Sequence, residues 1–160
     1  MNYLSRSVHC FLACAILLAG AAPFAAPGST PPAKPAKISI SVSPEAIEPG
    51  GRAEVTLSLT PSAGIKINRY PKIKFNVVEQ EGLVGPAETT LGNDAPPPID
   101  KAEDNYFETV DPLTLVLELD SSAPSGRHEL SGKLVYFYCV AKSGYCAPSR
   151  TPVKIAVNVR

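Results

Sequence analysis

Alternation of apolar and polar residues with a period of two is the feature that most constrains this chain. It starts where Ile38, Ile40 and Val42 alternate with serines, and it returns in five later runs up to the C-terminus. Such alternation is typical of β-strands that bury one face. No stretch has a convincing 3.6-residue period, and proline interrupts every candidate helix. The six runs cover residues 38–42, 55–59, 73–77, 113–119, 134–138 and 153–159.

Turn-forming residues separate these runs. Pro49-Gly50-Gly51, Pro124-Ser125-Gly126 and Ser143-Gly144 are examples. Six or seven short strands in about 120 residues are typical of a sandwich of two antiparallel sheets. We therefore predict an all-β, immunoglobulin-like two-sheet β-sandwich over residues 37–160, with an open barrel as the alternative.

One segment, residues 82–111, breaks this rhythm. It is long, acidic and rich in proline, including Pro96-Pro97-Pro98, and it carries few strand signals. Long irregular segments in compact domains are often binding loops or lids, and otherwise disordered insertions. Both interpretations stay open at this point.

The first 26 residues predict a secretory signal peptide. Arg6 is their only charged residue, and residues 11–22 are apolar or small without interruption. Twelve residues span about 18 Å as a helix, which is too short to cross a bilayer. Cleavage after Ala21 and cleavage near Ala26 are both compatible with the pattern. A lipid anchor at Cys14 fits poorly, because this cysteine precedes most of the apolar run.

Residues 27–36 contain four prolines and no large apolar side chain, which predicts an extended linker. The whole chain has 15 Lys and Arg against 15 Asp and Glu, and so a net charge of zero. Removal of the signal peptide takes away Arg6, which leaves 14 against 15 and a charge of −1. Nucleic-acid binders usually carry a basic excess, so we expect no nucleic-acid partner.

The cysteine count also changes when the signal peptide is removed. Cys10 and Cys14 leave with it, and only Cys139 and Cys146 remain. In an oxidising compartment two such cysteines are expected to pair. They flank Ser143-Gly144 and so fall on the two arms of a predicted hairpin, which brings them within reach of a disulfide.

This pair admits a redox-active interpretation and a structural one. Closing a loop of about eight residues removes roughly 2.5 kcal/mol of unfolded-state freedom in the chain-entropy account, less than a long-range bridge removes. A bond near a hairpin tip is also accessible to a partner thiolate. The spacing is not Cys-x-x-Cys and no βαβ pattern surrounds it, so we do not expect a thioredoxin fold.

Other chemistries are disfavoured by what the chain contains. His128 is the one histidine after residue 26, which leaves too few ligands for a zinc or blue-copper site and no support for a Cys–His hydrolase. No glycine-rich phosphate loop precedes a helix, so we expect no cofactor and no metal. Lys66, Arg69, Lys72 and Lys74 lie on or beside one predicted strand, and we interpret them as a solvated face.

The C-terminal half resembles a known family. Residues 134–139 (LVYFYC), then Gly144-Tyr145-Cys146-Ala147-Pro148, then a closing β-run, are similar to the N-terminal periplasmic domain of the thiol:disulfide interchange protein DsbD. Ile67-Asn68-Arg69-Tyr70-Pro71 is similar to a stretch in relatives of that domain. From residue 67 to the closing run, these motifs span most of residues 37–160.

This resemblance implies a periplasmic thiol:disulfide oxidoreductase with an immunoglobulin-like fold. By position, Cys146 forms the mixed disulfide with a partner and Cys139 resolves it. The implied partners are thioredoxin-fold periplasmic proteins and a membrane-embedded electron donor. The family covers its cysteines with a loop that has an acidic pair followed by aromatics. Here the matching residues, which we call the cap segment (residues 103–107), include Glu103, Asp104, Tyr106 and Phe107.

The cap segment has two expected effects on the cysteines. Its aromatics would exclude water and oxidants until a partner displaces them, and its carboxylates would disfavour a thiolate nearby. Two alternatives to exchange stay open. One is a non-enzymatic binding module that presents residues 82–111 and holds an inert disulfide. The other is an envelope structural subunit, which would expose an unpaired edge strand to a partner strand.

Overall fold

The computed structural model describes residues 34–160. The predicted signal peptide and residues 27–33 of the predicted linker lie outside this part of the chain. Eight strands and one short 3₁₀ helix make up the described fold. They are β1 (Ala36–Ser43), β2 (Arg52–Pro61), β3 (Ile65–Ile67), β4 (Ile73–Val77), β5 (Ala87–Leu91), the 3₁₀ helix (Ile99–Asn105), β6 (Leu113–Glu118), β7 (Gly126–Val140) and β8 (Cys146–Val159).

The strands form two antiparallel sheets. One sheet has the order β1-β2-β6. In the other, β7 is central: β8 pairs with one side of it, β3 and β4 pair with successive parts of the other side, and β5 lies outside β4. These are the A-B-E and G-F-C-C′ orders of immunoglobulin domains. The fold is an immunoglobulin-like two-sheet sandwich, as predicted, and not an open barrel.

The core lies between the sheets and follows from the alternation. In β6, for example, every second residue is buried and every other one is exposed. The largest fully buried side chains include Tyr136, Phe75 and Leu57, and no charged side chain is buried in the described residues. Burial raises the pKa of the phenols of Tyr136 and Tyr138, because the phenolate would lose its hydration.

Two expectations about the strands were wrong. There are eight strands instead of six or seven, and one of them, β5, lies inside the segment 82–111. β5 pairs with β4 through Thr89 and Thr90, among others, but its inward side chains are only half buried. A strand buried this weakly does not need the strict apolar alternation that marks the other strands.

β7 and β8 form a long, regular hairpin. Fourteen residue pairs, from Gly126 with Val159 to Cys139 with Cys146, follow one another without a bulge. The pair Val140 and Tyr145 closes the hairpin, with the Val140 N–H donating to the Tyr145 carbonyl at 2.8 Å. Within residues 34–160 no helix has the length and apolar character that crossing a bilayer requires.

Candidate functional site

The disulfide Cys139–Cys146 joins neighbouring strands at the end of the hairpin. The two residues lie directly opposite each other, with their Cα atoms 4.1 Å apart. Because Val140 and Tyr145 exchange a hydrogen bond, the adjacent cysteine pair occupies a non-hydrogen-bonded position, where facing side chains come closest. The bond therefore lies within one sheet, unlike the inter-sheet disulfide of antibody domains.

The two sulfurs have unequal environments. Tyr138 points into the core, so both Cys139 and Cys146 project from the outer face of the sheet. Cys139 is nevertheless only 4% exposed and does not belong to the core cluster. Cys146 is exposed. Something outside the sandwich therefore covers Cys139 and leaves its partner open.

Tyr106 of the cap segment contacts the buried sulfur. Its hydroxyl donates to Cys139 Sγ at 3.5 Å. On the same sulfur, the Oδ1 atom of Asn68 lies at 3.6 Å. A disulfide sulfur carries no proton, so the Asn68 contact becomes a hydrogen bond only when Cys139 is a thiol. The site thus holds one donor and one acceptor for the same sulfur.

Asn105 fixes the cap segment to the loop between β3 and β4. Its side-chain carbonyl accepts from the Tyr70 N–H at 2.9 Å, and its amide donates to the Tyr70 carbonyl at 3.0 Å. Its own main-chain carbonyl accepts from the Arg69 N–H at 2.6 Å, and Arg69 Nε donates to the Tyr106 carbonyl at 3.1 Å. The position of Tyr106 over the sulfur is therefore set by hydrogen bonds on both sides.

Gly92 supports the same loop. It has a φ of +129°, and a side chain there would collide with the Arg69 carbonyl. The next residue, Asn93, donates its N–H to that carbonyl at 2.8 Å. Only glycine allows this close approach, which holds the main chain of Arg69 beside the cap segment.

Lys66 links β3 to the cap segment. It lies directly opposite Cys139 in the β3–β7 register, and so on the same outer face. Its ammonium is 2.6 Å from Glu103 Oε2 and 4.7 Å from the centre of the Tyr106 ring. The hydrogen bond that the Lys66 ammonium donates to the Glu103 carboxylate raises the pKa of Lys66. The Glu103 carboxylate is thereby directed to a cation, and not to the sulfurs as the resemblance implied.

The remaining cap residues have different surroundings. The Phe107 ring packs under the Arg69 guanidinium, 4.7 Å from its centre, and against the core, while the Phe107 N–H donates to the Ile67 carbonyl at 3.0 Å. Asp104 is exposed. Of the two aromatics, Tyr106 is the one in contact with sulfur. A depression of about 690 Å³ lies beside the cap segment, lined by Lys66, Arg69, Asn93, Glu103, Asp104, Tyr106, Phe107 and Glu108.

Several residues of this site were not identified from the sequence. Lys66 and Arg69 were assigned to a solvated face, but both pack on cap aromatics. Asn68, Tyr70 and Asn105 were not singled out as site residues at all. Alternation does place Lys66 and Asn68 on the outer face of one strand, but only the register between β3 and β7 shows that this face borders Cys139.

The described residues contain no cluster of three or more His, Cys, Asp or Glu side chains suited to a metal ion. No family model and no curated protein matches the sequence. Among solved structures, that of murine CRIg aligns with 78% of this chain and 98% of its own length, at 12% identity and a TM-score of 0.33. At this identity the similarity has no bearing on function, which has to be argued from the geometry of the site.

Proposed function

We propose that this protein carries out thiol:disulfide exchange in the periplasm, with thioredoxin-fold proteins and a membrane-embedded electron donor as its partners. One observation carries the proposal: Cys146 is exposed while Cys139, on the same outer face, is covered by Tyr106. A disulfide with one accessible and one protected sulfur directs attack to one atom. Such selectivity would serve an exchange reaction.

The reaction begins with a partner dithiol. Its thiolate attacks Cys146 Sγ, a bond forms between the two sulfurs, and the Cys139–Cys146 bond breaks so that Cys139 leaves as a thiolate. The second thiol of the partner then attacks the partner's first cysteine in the mixed disulfide. This closes the partner's disulfide and releases Cys146 as a thiolate. The partner is oxidised by two electrons and this protein gains them. In the reverse direction the Cys146 thiolate attacks a partner disulfide and Cys139 resolves the product.

The surroundings of Cys139 suit a leaving group. The Tyr106 hydroxyl already donates to its sulfur, and this hydrogen bond strengthens as negative charge develops there. Asn68 Oδ1 then accepts a hydrogen bond from the S–H group once Cys139 becomes a thiol. Both contacts are present in the oxidised form, so the departing sulfur finds partners without a rearrangement of the sheet.

The alternative, an inert bond that only stabilises the fold, gains less from this position than it would from bridging distant parts of the chain. β7 and β8 are already joined by fourteen residue pairs, and the disulfide closes a loop with a sequence separation of 7. The chain-entropy account gives about 2.5 kcal/mol for so short a loop. A binding module with a structural disulfide remains the competing function, and the reduction potential separates the two.

Trapping tests the exchange reaction. In Cys139→Ser the Cys146 thiolate attacks the disulfide of an oxidised partner and Cys139 is no longer present to resolve the product, so covalent adducts with thioredoxin-fold proteins should accumulate in an oxidised periplasmic extract. Cys146→Ser is the matched control and should trap far fewer adducts, because Cys139 is covered. A reduction potential below about −300 mV, together with an absence of adducts, would favour the inert bond.

A further inference from the structure

We propose that the exchange partner lays an extended stretch of its backbone along the outer edge of β8, paired with the main-chain N–H and C=O of Cys146. This inference rests on the proposed function and names the docking surface that serves it. Three features carry it: the direction of the main-chain groups along β8, the spacing of its prolines, and the position of the cap segment on the opposite side of the disulfide.

The register shows which main-chain groups point outward. Val140 and Tyr145 exchange a hydrogen bond across the hairpin, and no bulge follows. In antiparallel pairs the hydrogen-bonded positions alternate, so Cys146 and every second residue after it direct their N–H and C=O away from β7. The far end of β8 agrees with this, since the outward carbonyl of Asn158 accepts from the Ile47 N–H at 2.9 Å.

The edge is unpaired over most of its length. Within residues 34–160, β7 is the one strand that pairs with β8, and no main-chain group bonds the outward positions from Cys146 to Ala156. Pro148 and Pro152 occupy two of these positions and remove their N–H groups. Full outward donor–acceptor pairs therefore remain at Cys146 and Arg150 at this end of the strand.

This proline pattern selects the kind of partner. A long donor strand would need a continuous ladder, which two prolines interrupt, so the edge does not suit a structural subunit that exchanges strands. A short extended segment needs only the positions at Cys146 and Arg150 and the carbonyl of Pro148 between them. The surface fits a partner whose backbone is extended for a few residues beside its reactive sulfur.

Pairing at this edge also aligns the sulfurs. A partner residue opposite Cys146 would form a hydrogen-bonded pair, whose Cα atoms are about 5.5 Å apart, and this is the usual Cα separation of a disulfide. Cys139, Cys146 and the incoming sulfur would then occupy neighbouring strands on one face of the sheet. The incoming sulfur reaches Cys146 from the side opposite to the bond that breaks, as displacement at sulfur requires.

The cap segment leaves this direction open. Tyr106 and Lys66 approach Cys139 from the side of β3, on the far side of β7 from β8. The atom balance is that of the proposed exchange: the partner thiolate supplies the electron pair of the new bond, and Cys139 departs with the pair of the old one. Backbone pairing adds only orientation to this step.

The test compares two thiols on the full oxidised protein. One is a short synthetic peptide of threonines around a single cysteine, which can pair as an extended strand, and the other is glutathione as a thiol with little backbone. We expect Arg150→Pro to slow exchange with the peptide about three- to tenfold, because one hydrogen bond to the peptide is lost. Exchange with glutathione should be unchanged. A peptide whose residues on either side of the cysteine are N-methylated should react with the unmodified protein more slowly by the same factor.

Two variants serve as controls. Arg150→Ala removes the charge but keeps the N–H, and Ala156→Pro removes an outward N–H far from the disulfide, so neither should change the peptide-to-glutathione ratio. Because β8 already accommodates prolines at 148 and 152, we expect each variant to fold, and thermal unfolding checks this. Equal ratios in all variants would overturn edge docking while leaving exchange itself intact. Self-association through β8 in place of peptide pairing would overturn it as well. A disulfide that reacts with neither thiol would instead refute the proposed function.

Discussion

The hydroxyl of Tyr106 and the sulfur of Cys139 are joined by a hydrogen bond of 3.5 Å across 33 residues of sequence. This contact gives Tyr106 two separable effects. Its ring covers the sulfur, and its hydroxyl stabilises charge on it. Substitutions at this position and around it can separate the two, because accessibility determines which sulfur is attacked and hydrogen bonding determines how fast it leaves.

Tyr106→Phe keeps the ring and removes the donor. We expect reduction by glutathione to slow about three- to tenfold, because the departing Cys139 thiolate loses a hydrogen bond. Tyr106→Ala removes the cover as well, so glutathione adducts should appear on Cys139 besides those on Cys146. Mass spectrometry after an acid quench locates the adducts. Equal labelling of both cysteines in the unmodified protein would contradict the cap.

Asn68→Ala removes the acceptor that faces Cys139. Because Asn68 Oδ1 bonds the thiol and not the disulfide, this change destabilises the reduced form alone. We expect the reduction potential to become more negative by about 10–20 mV, which corresponds to one weak hydrogen bond. Asn76→Ala is the control. This residue lies in β4 on the outer face of the same sheet, and its removal should leave the reduction potential unchanged. An unchanged potential in Asn68→Ala would show that the contact does not form in the dithiol.

Asn105→Ala releases the cap segment from Tyr70. Two hydrogen bonds of a half-buried side chain are lost, so we expect the protein to lose about 1–2 kcal/mol of stability and the Tyr106 and Arg69 amides to exchange faster with solvent. Adducts on Cys139 should increase, as in Tyr106→Ala. Asn158→Ala, which removes a side-chain bond to Glu45 elsewhere, should lower stability slightly without changing the adduct pattern. The same pattern in both variants would refute the anchoring role.

The sequence predicted the sandwich because strands such as β2 and β6 bury one face completely, and full burial requires alternation. It did not predict β5, whose inward side chains are only half buried. The disulfide followed from two cysteines that flank a short turn, whereas the cap segment came from a resemblance. The contacts of Lys66 and Asn68 with the site depend on the register between β3 and β7, strands far apart in the chain, and no local pattern encodes that register.

Lys66 should make the closure of the cap segment depend on salt and pH. The exposed ion pair with Glu103 is screened by salt, so adducts on Cys139 should rise with ionic strength in the unmodified protein and not in Lys66→Met. The pKa of Lys66 is raised in the folded state, so its stabilisation is fully present below 10.5 and is lost as the pH rises through the raised value. The difference in melting temperature between the two proteins should therefore shrink above pH 10.5. A difference that grows there would contradict the pair.

Removing the disulfide should leave the fold intact. In Cys139→Ser/Cys146→Ser the β7–β8 ladder keeps its fourteen pairs, and a serine at 139 retains Tyr106 as a donor and Asn68 as an acceptor. We expect urea unfolding to show a loss of at most about 2.5 kcal/mol, the entropy of a short loop. The reduced wild-type protein is the matched control and should unfold at nearly the same midpoint. If both proteins lose their near-ultraviolet circular dichroism without denaturant, the bond is required for folding, and the disulfide could not open and close in each exchange cycle.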